Sequence, residues 1–146
     1  MVKSESSVYS LDNLKSDKVT AWNGVRNYQA RNYLKEMEVG DEVFFYHSVD
    51  EPVGIVGVAK VAKKAYPDPS QFDKNSEFFE AKCSKEEPRW FCPDLKFVKK
   101  FKKTIALADL KKQKGLQAMQ LLQKGSRLSV QPVSSEERGI ILKLAE

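Results

Sequence analysis

The chain has 146 residues, of which 41% are hydrophobic and 31% charged, and it carries a net charge of +5. That length predicts one domain, residues 1–146, large enough to bury a core without a disulfide or a metal, and the composition excludes a disordered chain. No apolar run approaches the roughly 18 residues that span a bilayer, and the opening Met1-Val2-Lys3-Ser4-Glu5 lacks the apolar stretch of a secretory signal.

In chain order, Ser10 is placed to cap a short helix over Leu11–Lys15, with Asp12 in its first turn. The segment Trp22 to Asn32 is dense in Trp, Arg, Asn and Gln around Gly24. It leads into a helix over Asn27–Met37, with Ala30, Tyr33, Leu34 and Met37 on one face and Gly40 as its stop. Glu42–His47 is aromatic and β-branched and reads as a strand, with Phe45 and His47 on one face and Phe44, Tyr46 and Ser48 on the other. Val53–Val61 reads as its hairpin partner. Gly54 and Gly57 within it point to a bulge or a close backbone approach. Pro67-Asp68-Pro69 ends the pairing, and residues 70–88 form a long polar loop, functional or merely irregular.

Arg89–Phe101 is expected to be a strand with Pro93 at an edge or bulge. Ala106–Lys124 is expected to hold two short helical pieces interrupted by Gly115. Arg127–Val133 alternates polar and apolar up to Pro132, so a half-buried strand is expected. Ser134 and Glu137 have the spacing of a capping box for a last helix. The order predicts an α+β fold with a mostly antiparallel sheet, curled or closed into a small barrel.

Charge is unevenly placed. Lys96 to Arg127 holds ten basic residues against one acidic, Asp109, while the rest of the chain is acidic on balance. That is the footprint of a polyanion-binding surface, and equally of a solvated lysine face. Lys99, Lys100, Lys102, Lys103, Lys111 and Lys112 are the expected contacts to a phosphate backbone. Two cysteines, Cys83 and Cys92, and one histidine, His47, match no zinc pattern. Neither a metal nor a cofactor is expected, and the cysteine usage suits a reducing compartment. No phosphate loop, H-E-x-x-H or G-x-S-x-G motif occurs, and no carboxylate is spaced to make His47 a triad base.

Spacing alone leaves the segment around Trp22 open. The indole is either a stacking platform beside a polar edge or a core residue before an Asn23-Gly24 turn. Arg127, Ser129 and Gln131 point one way by alternation, lining a site or facing water.

The runs Lys3-Ser4-Glu5, Trp22 to Asn32, Gly40-Asp41, Phe45-Tyr46-His47-Ser48 and Ile55-Val56-Gly57-Val58-Ala59 occur in order. They are followed by Ala65-Tyr66-Pro67-Asp68, Pro88-Arg89-Trp90 and Arg127 to Val133. Together they resemble the EVE domain family of the PUA-like superfamily, which also holds the YTH and ASCH domains. The sequence departs from the family where Ser6 replaces a proline and where Arg138 replaces a tryptophan. The resemblance implies a PUA-like curled sheet or barrel of five or six strands flanked by helices. It implies a pocket for a flipped, modified base, methylated or hydroxymethylated cytosine being the usual candidates. At matching positions, Ser4 reaches the pocket, Trp22 is its stacking wall, and Arg26, Asn27 and Arg31 form a polar rim. Tyr46, His47 and Ser48 come from a facing strand, and Arg127, Ser129 and Gln131 from a late one.

The expected function is a non-catalytic, monomeric module that binds DNA or RNA carrying a modified base, cytoplasmic or, in a eukaryote, nuclear. On that reading Trp22→Ala removes binding and leaves the fold intact. Two alternatives stand beside it. One is a nucleotide- or RNA-processing enzyme with His47 as general acid/base, and the other is a protein-interaction module with an incidental basic segment.

Overall fold

Two long strands, β4 (Gly54–Pro67) and β5 (Phe91–Ala106), pair antiparallel and organise everything else in the computed structural model, which describes residues 1–146. β3 (Glu42–His47) pairs antiparallel with β4. On its outer edge lies β1 (Val2–Ser4), parallel to β3, and β2 (Val19–Ala21) pairs antiparallel with β5 at the opposite edge. The strand order is β1-β3-β4-β5-β2. The fold is therefore α+β, with a five-stranded, curled, mostly antiparallel sheet.

Curling has an identifiable cause. Phe45 pairs with Gly57 but Tyr46 with Ile55, so one residue of β4 is extra at Val56–Gly57. The bulge switches the inward phase of β4: Val56 and Ala59 face one core, Ile55 and Val58 the other. A Cβ at Gly57 would collide with the Lys99 carbonyl oxygen and stand 2.5 Å from Leu11 Cδ2, so only glycine admits this close approach.

The sheet thus has two apolar faces. Val2, Val43, Phe45, Val56, Ala59, Val61 and Leu95 pack against α1 (Leu11–Asp17) and α2 (Tyr28–Glu36). Phe44, Tyr46, Ile55, Val58, Phe101 and Ile105 pack against α3 (Leu107–Lys111), two 3-10 turns and α4 (Ser135–Leu144). Ser10–Asn13 and Ser134–Glu137 both form complete capping boxes, each closing otherwise unpaired N–H groups of a helix start.

Three stretches differ from expectation. β2 was not foreseen: Val19-Thr20-Ala21 is too short to show alternation and exists because it pairs with Asp94–Lys96. Ala106 ends a strand, and beyond it lie α3 and two 3-10 turns, Lys114–Leu116 and Gln120–Leu122. Gly115 sits inside the first of these turns, where a Cβ would collide with Ile140 Cδ1. Arg127–Val133 is not a strand but a single antiparallel bridge, Val2 to Val130. The Lys3 N–H donates to Ser129 O at 2.8 Å and the Gln131 N–H to Met1 O at 2.9 Å. Pro132 then offers no N–H to continue the ladder.

Candidate functional site

The turn from β2 to α2 crosses the sheet edge with Trp22 facing inward. Its indole is 8% exposed and meets Phe45 edge-on at 5.4 Å and Tyr9 edge-on at 6.1 Å. It belongs to the core, and its remaining surface walls a hollow of about 430 Å³. A volume in this range suits a small planar ligand. Ser4 from β1, Gly24 and Arg26 from the turn, Phe78 from the 70–88 loop and Ser129 from the late bridge share the same hollow.

The turn that lines it is fastened from behind the lining by a buried ionic knot. The Asp68 side chain has no solvent access and accepts from the Gly24–Arg26 turn and from Ser70. Oδ2 receives the Gly24 N–H at 2.8 Å and Arg26 Nη1 at 3.1 Å, while Oδ1 receives the Ser70 N–H at 2.8 Å and its hydroxyl at 2.6 Å. Burial works against ionisation of Asp68, but the donors from Ser70, Gly24 and Arg26 outweigh it and hold the carboxyl below its ordinary value. Gln71, also buried, ties the same corner by donating to Asp68 O and Trp90 O, both at 2.8 Å.

Of the residues that the sequence suggested, Ser4, Trp22, Arg26 and Ser129 meet at this hollow. The others lie elsewhere, each for a visible reason. Asn27 is exposed and caps α2, accepting the Ala30 N–H at 2.9 Å. Arg31 lies over the Tyr28 ring at 4.8 Å and donates to Arg89 O at 2.9 Å. Tyr46 points to the opposite face of the sheet, where Lys3 Nζ stands 5.6 Å from its ring centroid. Ser48 is exposed, its N–H donating to Ser4 O at 3.0 Å. Arg127 is exposed and does not line the hollow. Gln131 is buried and borders a second hollow of about 240 Å³, with Met1, Phe44 and Arg138.

His47 is 8% exposed, and both ring nitrogens are engaged. Nε2 accepts the Leu11 N–H at 3.2 Å, so Nδ1 carries the proton it shares with Asp50 Oδ2 at 2.9 Å. The ring serves the first turn of α1. His47→Ala leaves the buried Leu11 N–H without a partner, and about 1–3 kcal/mol of stability should be lost in a urea melt. The charged segment is also placed away from the hollow. Lys99, Lys100, Lys102 and Lys103 are exposed along β5, and Lys111 and Lys112 at the end of α3. Lys100 pairs with Asp12 at 2.9 Å and Lys112 lies 3.8 Å from Asp109.

Phe78, Asp68 and Glu77 were not singled out from the sequence. The available signal was the aromatic pair Phe78-Phe79 in a largely polar loop, of which Phe78 is half-buried and Phe79 exposed.

The model of the EVE domain matches residues 1–144. Mouse thymocyte nuclear protein 1 is 44% identical over 148 residues, covering 94% of this chain and 65% of that protein, and the human protein is 42% identical with the same coverage. The chain thus spans just under two thirds of the length of these curated relatives. A crystal structure of a Pseudomonas putida protein superposes with a TM-score of 0.97 at 43% identity, covering 100% of this chain and 98% of that one. The crystal structure of human THYN1 protein in complex with DNA containing 5-methylcytosine superposes with a TM-score of 0.91 at 39% identity, covering 99% and 95%. With the match running through both cores, the bulged β4 and the Trp22 turn, this chain belongs to the EVE domain family.

Proposed function

We propose that the chain is a non-catalytic module that binds nucleic acid bearing a modified base, with the base flipped into the hollow beside Trp22. The observation that carries this reading is the human THYN1 structure with 5-methylcytosine DNA, 39% identical across 99% of the chain, taken together with a hollow of about 430 Å³ in the same fold. Unstacking a base costs a few kcal/mol. Stacking on an aromatic wall returns about 1–3 kcal/mol. The exposed lysines of β5 and α3 supply attraction to the phosphate backbone. Both nitrogens of His47 bind the protein itself, which supports binding without catalysis.

A single buried methyl is worth about 0.8 kcal/mol, so preference for a methylated over an unmethylated site should be about fourfold. Fluorescence anisotropy with matched duplexes, one carrying 5-methylcytosine, measures this directly. The methylated duplex is expected to bind about four times tighter, and both affinities to fall steeply with added salt. Failure to bind either duplex, or equal affinity for the two, overturns the proposal.

A further inference from the structure

All five N–H donors of Arg26 are already used inside the protein. Nε and Nη2 donate to the Phe78 carbonyl at 3.3 and 2.9 Å, and Nη2 also donates to the Ser70 hydroxyl at 3.0 Å. Nη1 donates to the Val25 carbonyl at 3.0 Å and to Asp68 at 3.1 Å. A guanidinium has no further N–H, so none remains for a base edge or a phosphate. The plane of the group is fixed as well. Arg26 lies 5.4 Å from the Trp90 ring, which stacks on Tyr28 at 4.8 Å, and 5.4 Å from the Phe78 ring.

Two of those five bonds hold the backbone of Phe78. Its ring comes from residues 73–90, which form neither helix nor strand, is only half-buried, and still lines the hollow. It rests on Gly24, whose φ of +83° excludes most side chains and where a Cβ would stand 2.8 Å from Phe78 Cε2 and Cζ. A half-exposed aromatic ring seated on a glycine and tethered by an ion-paired arginine is a built wall of the hollow that Trp22 also lines. We infer that Phe78 is a second aromatic wall of the base-binding hollow, and that Arg26 is a positioning residue that acts on the ligand only through Phe78.

This rests on the modified-base reading above, and the test separates the two. Anisotropy with the 5-methylcytosine duplex is run on wild type, Phe78→Ala, Arg26→Lys, Gly24→Ala, and the last two combined with Phe78→Ala. Thermal melts establish that each variant is folded. Phe78→Ala should weaken binding about tenfold, as loss of one stacking partner does. Arg26→Lys keeps the charge but not the fork. It should weaken binding several-fold and speed tryptic cleavage at Lys82 and Lys85 in the freed loop. Gly24→Ala displaces the ring without removing a donor, so it covers the case of an unfolded Arg26→Lys. Neither change should lower affinity further once Phe78 is alanine. Wild-type affinity in Phe78→Ala, or an Arg26→Lys loss that is undiminished in the Phe78→Ala background, overturns the inference while the modified-base reading stands. If wild type binds no duplex, that reading fails and takes this inference with it.

Discussion

Asp68→Ala is expected to lower stability by about 3–5 kcal/mol, the usual cost of removing one partner from a buried ion pair. In a chain of this size that is a fall of roughly 6–20 °C in Tm. The change orphans the Gly24 N–H, the Ser70 N–H and one Arg26 donor together, and these groups come from two segments more than 40 residues apart, the Gly24–Arg26 turn and Ser70. Its pH dependence follows from the direction of the shift. The folded carboxyl titrates below its ordinary value of 3.8, so its stabilising contribution is complete above that value and is lost as pH falls through the lowered one. Urea melts of wild type and variant should therefore differ most near neutral pH and converge as the pH drops below about 4. A gap that stays constant down to pH 3 would show that the charge of Asp68 contributes nothing.

That knot also marks the boundary of what was legible in the residues. β3 is found at Glu42–His47 as its composition indicates, because a strand with five buried residues in a row leaves little choice. The capping box at Ser134–Glu137 and the bulge at Gly57 are local chemistry and are visible locally. The loop at 70–88 is different. Its order depends on Arg26 and Asp68, 42 positions apart in the chain, and on Arg26 reaching the Phe78 carbonyl 52 positions away. No period or turn signal reports such a contact. The family resemblance places Asn27 and His47 in the candidate site, yet each binds a backbone N–H near a helix start. Short polar side chains satisfy helix ends as readily as they bind ligands, and only three-dimensional placement separates the two uses. Tyr46 lies apart from the hollow for a simpler reason, one that alternation already indicates: it sits on the opposite face of β3 from Phe45, away from Trp22.

Trp22→Ala is expected to impair fold and binding together. The family resemblance makes the indole a removable wall, while spacing leaves a core role equally open; 8% exposure and edge-to-face contacts with Tyr9 and Phe45 make it a core residue as well. Truncating a buried tryptophan costs about 3–5 kcal/mol, a large share of the roughly 5–15 kcal/mol that holds a domain together. Lost binding in that variant would therefore confound a missing wall with a missing fold. Trp22→Phe separates them, because it keeps an aromatic ring in the core beside Phe45 and Tyr9 while reducing the stacking area of the indole. It should melt within a few degrees of wild type and still bind the 5-methylcytosine duplex several-fold more weakly, measured well below the melting temperature. Unchanged affinity in a folded Trp22→Phe would mean that the bicyclic face of the indole does not touch the base, leaving Phe78 and Tyr9 as the aromatic residues of the hollow that could.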